Sequence, residues 1–528
     1  MPPRSPDLLV LGIDAADPDL IEQWAADGTL PHLGALIRRG FSGRTHSVDG
    51  FFIGATWPSF FTGVTPARHG IHYMVQFEPG TGTLYRPAAA DYVRRPPFWH
   101  ALASAGRRVA VLDVPLSRID PGIDALQIVE WGGHDAVFGF RACPPEAGRE
   151  ILKRFGSHPL GPTCDATGRQ AGDYARFIDT LLAGVRTKAA LTTHMLHASE
   201  WNFFMQVFTE AHCAGHQCWH LHDPTHPAHD PIVAAVTGDP LRRVYTAIDD
   251  AIGQVLASAG NARILILAAH GMKHAYGAQF LLPEILFRLG VAHPAASATD
   301  PRTEHATRAS LRWVWRRLPA PVRRALEPLR AHAAGERRRS VLPALDADLA
   351  RSACFVVPNG LAVGGIRLNL AGREAAGVLA PAQADAFCAD LRDALLGIVD
   401  ERTGGPVVRR VLRTRDCYEG EHLGALPDML VEWDDAAATG SAGVGGGAAS
   451  TVRVHSPRIG ILEGQNSYAR TGEHRPEGMF IAAGPGIPAG RRNESTSILD
   501  FAPTLAAMLG VQITGTDGRL IPGLAIPR

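Results

Sequence analysis

ILILAAHGMKHAYG, residues 264–277, runs as four apolar β-formers and then breaks at Ala269-His270-Gly271-Met272. A strand that ends on His and Gly reads as one that delivers a polar ligand to the rim of a sheet. Runs of the same kind recur on either side: DLLVLGID (7–14), RVAVLDV (108–114), WNFFMQVF (201–208), RILILAA (263–269) and GMFIAAG (478–484). Helical patterns lie between them. DLIEQWAADG (19–28) stops at Gly28, LRRVYTAIDDAIGQVLASAG (241–260) stops at Gly260, and SILDFAPTLAAMLGV (497–511) reads as a capped helix packing back on the sheet. Continuous apolar strands alternating with helices predict an α/β fold, a mostly parallel central sheet with helices on both faces.

A chain of 528 residues with 46% hydrophobic and 20% charged residues can bury a large core. Its formal net charge is zero, so no global field points to nucleic acid or to acidic lipid. Seven cysteines without a C-x-x-C pair argue against a disulfide framework and for a reducing compartment. MPPRSPDLLVLGID enters a strand almost at once, without a signal-peptide pattern, and no apolar run reaches the roughly 20 residues that span a bilayer. The expected location is cytoplasmic. Two stretches break the rhythm: an arginine-dense amphipathic segment at 302–339 and the Gly/Ala/Ser loop DDAAATGSAGVGGGAAS at 434–450. The first reads as a solvated helix beside the core or, with Trp313 and Trp315 among its arginines, as a surface for acidic partners. The second reads as a flexible loop.

Polar residues placed just after strands carry the chemistry. Asp14 ends the first strand, at the sheet edge where α/β proteins put ligands, and Asp17 can cap the next helix. In GATWPSFFTGVTPARHGI (54–71), Thr56 stands where a helix can begin, either as a plain cap or as a hydroxyl among anion-favouring backbone N–H groups. In FTEAHCAGHQCWHLHD (208–223), His212 and His216 are four apart and share one face of a helical turn, so they can grip one cation. The neighbouring His220, His222, His226 and His229 keep open a simple His-rich loop, and Cys213 and Cys218 serve as soft ligands or as small buried hydrophobes. His270 and His474 each stand beside a strand.

In this order and wording, LVLGID, ATWPSFFTGVTPARHGI, HCAGH, HGM, RTGEHRPEGMFIAAGPGI and SILDFAPTLAAMLG resemble the alkaline phosphatase superfamily, and within it the type I phosphodiesterase/nucleotide pyrophosphatase family. The resemblance covers most of the chain. It implies a Thr nucleophile and two Zn²⁺ ions, about 4 Å apart, that clamp a phosphate. It makes Thr56 the nucleophile, assigns His212, His216 and His474 to the first metal, and assigns Asp14, Thr56 and His270 to the second. Three positions depart from the family pattern. His212 stands where the family usually has Asp, a change that suits zinc and raises the site's charge. Ser59 is the nearby hydroxyl where the family uses an Asn on the phosphate oxygen. Ala269 stands where the family has a metal-binding Asp, so the second metal is expected to bind more weakly or to enlist water, His274 or Asp17.

A sulfatase of this superfamily needs Cys or Ser within C/S-x-P-x-R, whereas the string here is Thr56-Trp57-Pro58-Ser59-Phe60. A monoesterase must neutralise a dianion, whereas Trp57, Phe60 and Phe61 suggest an apolar wall for a second ester group. The expected function is a metal-dependent hydrolase of phosphodiester or phosphoanhydride bonds acting on a small diester or nucleotide-like substrate, with no nucleic-acid partner. The alternatives are a phosphomonoesterase or phosphotransferase on the same metals, and a non-catalytic phosphate-ligand binder. Residues 1–290 and 420–528 contain every proposed ligand and are expected to form the core. Residues 291–419 are expected to form an inserted subdomain over the pocket, with GIRLNLAGREAAGVL (365–379) as strand and turn and PAQADAFCADLRDALLGIVD (381–400) as helix.

Overall fold

The computed structural model describes residues 5–87, 95–133, 137–161, 163–295, 340–341, 347–444 and 450–524. The arginine-dense stretch 302–339 lies outside them. The apolar runs form strands, and nine strands make the main sheet. In chain order they are β1 (Leu8–Ile13), β2 (Phe41–His46), β3 (Val109–Leu112), β4 (Leu126–Val129), β5 (Arg141–Cys143), β6 (Phe203–Phe208), β7 (Arg263–Ala268), β8 (Glu477–Ala483) and β9 (Gly490–Ser497). Their spatial order is β9-β2-β8-β7-β1-β6-β3-β4-β5. All run in one direction except β8, antiparallel to β2 and β7, and β5, antiparallel to β4.

Every residue of β1 is buried because both faces of the sheet are covered. Leu8 and Val10 enter one apolar cluster, whereas Leu9, Leu11 and Ile13 enter another. The first cluster is closed by α1 (Thr56–Thr62) and the C-terminal helix Phe501–Met508, and the second by α2 (Ala171–Ala198), α3 (Glu210–His222) and α4 (Pro240–Ser258). This is the mostly parallel, doubly covered sheet expected from the sequence.

The strand directions decide what gathers at one edge. Asp14, Thr209 and Ala269 follow the carboxyl ends of β1, β6 and β7, and Ser47 follows β2, which runs the same way. Because β8 runs in reverse, the residues before it, His474 and Arg475, arrive at that same edge. A short antiparallel pairing, Gly271–His274 against Gly472–Arg475 with Met272 opposite His474, ties the two segments together.

The inserted region forms a four-stranded antiparallel sheet in the order Cys354–Val357, Val363–Leu368, Met429–Trp433, Val408–Arg413, with the helix Ala384–Leu396 beside it. This sheet reaches past the boundary expected at residue 420: Met429–Trp433 is an apolar run like a core strand, yet it pairs with Val363–Leu368. All seven cysteines are free thiols. No helix among the described residues is long and apolar enough to cross a membrane.

Candidate metal and phosphate site

α3 starts straight after β6, and the four-residue spacing puts His212 and His216 on one face of it. His474 comes to meet them from that antiparallel pairing. Nε2 of His212 is 3.1 Å from Nε2 of His216 and 3.2 Å from Nε2 of His474, and all three side chains are buried. Nδ1 of His216 lies 2.8 Å from the Gly472 carbonyl, which can only accept, so Nδ1 carries the proton and Nε2 keeps its lone pair. Three imidazole nitrogens within bonding reach of one point, one of them oriented through its far nitrogen, are a donor set that fits a zinc-like ion. The other cluster of potential ligands among the described residues is His32 with Asp249 and Asp250, but Asp249 already accepts from the backbone N–H groups of His32 and Leu33.

His270 lies tilted against His474, with ring centroids 4.8 Å apart. Burial pushes its pKa down to about 3, so the imidazole is neutral, and its Nδ1 has no hydrogen-bond partner among the described residues. Thr56 opens α1 and is buried. Its hydroxyl donates to the Phe52 carbonyl at 2.7 Å and makes a short hydrogen bond with Ser47 Oγ. With its own proton on Phe52, Thr56 Oγ1 accepts from Ser47. The next residue, Trp57, donates from Nε1 to Asp14 Oδ1 at 2.8 Å, which couples the helix carrying Thr56 to the carboxylate at the end of β1. A neutral imidazole with an orphaned nitrogen, a carboxylate and a hydroxyl at one sheet edge suit a second ion.

A family model described as type I phosphodiesterase/nucleotide pyrophosphatase matches residues 8–441, well over half of the chain. The chain belongs to that family. It is accordingly a hydrolase of the phosphoester and pyrophosphate type. No curated protein sequence matches it. Solved structures similar over nearly the whole length include phosphonoacetate hydrolase from Sinorhizobium meliloti 1021 in complex with phosphonoformate (16% identity, 97% of this chain and 96% of that one, TM-score 0.47). Also similar are the alkaline phosphatase PafA (13%, 99% of each chain, TM-score 0.48) and an inactive murine ectonucleotide pyrophosphatase/phosphodiesterase 5 in complex with AMP (10%, 97% of each chain, TM-score 0.42).

Other residues singled out in this family member have local partners. Ser59 is fully buried and pairs with His69 Nε2 at 3.0 Å; Ile71 N–H donates to His69 Nδ1, so the ring donates to Ser59 from Nε2. Ser47, not Ser59, is therefore the hydroxyl beside the Thr56 oxygen. Asp17 caps the helix Pro18–Ala26 through the N–H groups of Asp19 and Leu20, and His274 Nε2 donates to the Asp435 carbonyl at 3.0 Å. Ala269 is fully buried in an apolar cluster. Cys213 and Cys218 are fully buried too, and burial pushes the Cys218 thiol up to about 12. Trp57, Phe60 and Phe61 do not form a substrate wall: they turn into the core, where Phe60 meets Phe98 and Phe501, and Phe61 meets Trp99.

Two residues beyond those expected join the site. Ser47 is one. Arg470 is the other: its Nη1 lies 3.2 Å from His216 Nε2, and Asp165 anchors the guanidinium at 2.8 Å. Arg470 stands inside the RTGEHRPEGM motif, so its position was visible in the sequence. Asp165 lies between strands in a stretch without any pattern.

Proposed function

We propose that this protein is a metal-dependent hydrolase of phosphodiester or phosphoanhydride bonds that attacks through Thr56. The observation that carries the reading is the meeting of the three Nε2 atoms of His212, His216 and His474, with the Gly472 carbonyl setting the His216 tautomer. These three would hold one divalent ion, and Asp14, Thr56 and His270 a second. When bound, such ions supply Lewis-acid charge to the phosphate and lower the pKa of the oxygens they touch.

The chain's own groups do the rest. Trp57 fixes Asp14 through Oδ1, and burial keeps His270 neutral, so that imidazole need not shed a proton near neutral pH. Ser47 donates to Thr56 Oγ1 and continues to do so as that oxygen loses its proton and becomes the nucleophile. In-line attack by the Thr56 oxygen forms a phosphoryl-Thr56 that keeps one substituent of the diester and expels the other, which takes up a proton as an alcohol or leaves as a phosphate, and water then cleaves the Thr56 Oγ1–P bond to release the phosphate monoester. Arg470 supplies a cation whose N–H groups can donate to non-bridging phosphate oxygens. That same guanidinium favours a second reading, a phosphomonoesterase, because a dianion needs such a charge.

The test is metal content per chain together with hydrolysis of bis(p-nitrophenyl) phosphate and p-nitrophenyl phosphate. We expect bound divalent metal and faster cleavage of the diester. Thr56→Ala removes turnover with metal and melting temperature retained, whereas His216→Ala and His474→Ala lose metal and activity together. Undiminished turnover by Thr56→Ala would mean that water attacks directly. Faster cleavage of the monoester selects the second reading, and metal without cleavage of either leaves a phosphate-ligand binder.

A further inference from the structure

With Trp57, Phe60 and Phe61 turned into the core, the apolar wall for an ester group has to come from elsewhere. A cavity of about 310 Å³ between the core and the inserted sheet supplies one, with Tyr73, Leu286, Phe287, Phe355, Leu361 and Tyr468 among its lining. Among the described residues, that lining holds no charged side chain.

Its borders lie against both halves of the candidate site. On the nucleophile side, Gly54, two residues before Thr56, packs so closely that a Cβ there would stand 2.4 Å from the His72 carbonyl oxygen and 2.6 Å from the Tyr73 Cα. Gly360, also in the lining, lies against Ile53, where a Cβ would come within 2.3 Å of Ile53 Cδ1. On the metal side, Gln279, Leu361 and Tyr468 also line a narrow cleft that continues to Arg470 and Glu473. Arg470 touches His216. The cavity thus adjoins the backbone that leads into Thr56 and shares three lining residues with the cleft that reaches Arg470.

The chemistry of the lining sets what can fill it. Against the described lining, a charged group would lose its hydration with no opposite charge to meet it, whereas an aryl group gains contact with rings and aliphatic side chains. The volume is at the lower end for ligand pockets, enough for one ring rather than for an extended polar chain. We propose that this cavity receives the uncharged, apolar ester group of the substrate, so that the preferred substrates are phosphodiesters of aryl alcohols. The assignment rests on the hydrolase reading above.

The experiment titrates metal-loaded Thr56→Ala enzyme calorimetrically with phenyl, 4-carboxyphenyl and methyl methylphosphonate, each of which carries a single ester group. The phenyl ester should bind at least about tenfold more tightly than the other two. Val356→Trp, which fills the cavity from its inserted strand, should erase that advantage. Leu361→Glu, which places a carboxylate between cavity and cleft, should do the same and serves if the first variant melts early. Equal affinities, no binding, or a phenyl advantage that survives both substitutions would overturn the assignment. Turnover of bis(p-nitrophenyl) phosphate by the unsubstituted enzyme is scored separately. Selectivity without turnover leaves the cavity assignment standing and removes the hydrolase reading, and turnover without selectivity does the reverse.

Discussion

Thr56 is engaged on two sides, by the Phe52 carbonyl and by Ser47. Ser47 is the side chain that can follow the oxygen from hydroxyl to alkoxide, and a hydrogen bond to a charged oxygen is worth about 1.5–3 kcal/mol. Ser47→Ala is therefore expected to lower kcat by roughly ten- to a hundredfold with little change in metal content, as measured by diester turnover and metal analysis of one preparation. Ala269 makes the opposite test. It is fully buried among apolar neighbours, so Ala269→Asp should cost several kcal/mol in metal-free protein. If the new carboxylate reaches the ion beside Thr56, added zinc restores the melting temperature and second-site occupancy rises. A melting temperature that stays low at saturating zinc would show that the position only packs. At this scale the sequence was informative where a polar residue follows closely on a strand: Asp14, His270 and the His212/His216 pair could be singled out as candidates from their placement. Ser47 could not, because its closeness to Thr56 depends on the direction of β2, which FSGRTH does not disclose.

Elements explain the misreading of the aromatic residues. Trp57, Phe60 and Phe61 stand at i, i+3 and i+4, the stripe by which a helix faces a core, and that spacing outweighs their nearness in sequence to Thr56. Residues 359–418 hold the other end of the segment that leads into Thr56. Asn359 Nδ2 donates to the Gly50 carbonyl at 2.9 Å, Tyr418 donates to the Asp49 carbonyl at 2.7 Å, and Arg410 pairs with the Asp49 carboxylate at 2.6 Å. Residues from an insertion thus fasten the loop that leads into Thr56. Asn359→Ala removes a fully buried donor and should cost about 1–3 kcal/mol of stability. It should also lower kcat several-fold, with zinc affinity at the three-histidine site unchanged. Equal loss of kcat and of zinc affinity would show general loosening rather than a role in holding the loop.

For the molecule as a whole, the parallel sheet was legible because β1, β3, β6, β7 and β8 are mostly apolar, whereas β2 and β9, FSGRTH and GRRNESTS, carry no such run. The reach of the inserted sheet to Trp433 was not, because a buried strand of an insertion looks like a buried strand of the core. The buried carboxylates give the fold a pH signature. Burial raises Asp17 to about 6 and Glu130 to about 7. A carboxyl whose folded pKa exceeds its unfolded value binds more protons when folded, so its stabilising contribution is complete below about pH 4 and is lost as pH rises through about 6. Asp17→Asn keeps a capping oxygen and removes this titration. Relative to that variant, the unsubstituted protein should therefore become less stable between pH 4 and pH 6.5, as followed by urea midpoints. A constant difference would show that Asp17 does not titrate in that window.

The place of β8 sets a timetable for synthesis. Residues 477–483 fill the gap between β2 and β7, so a ribosome that has made 470 residues has produced both neighbours and not the strand that joins them. At about 5–20 residues per second, those two strand edges stay unpaired for many seconds after β2 emerges. Open apolar edges are templates for pairing with other chains. The nascent chain is consequently open to edge-to-edge pairing until residues 477–483 are made, and a stop codon upstream of 477 is expected to yield an aggregate rather than a smaller folded protein.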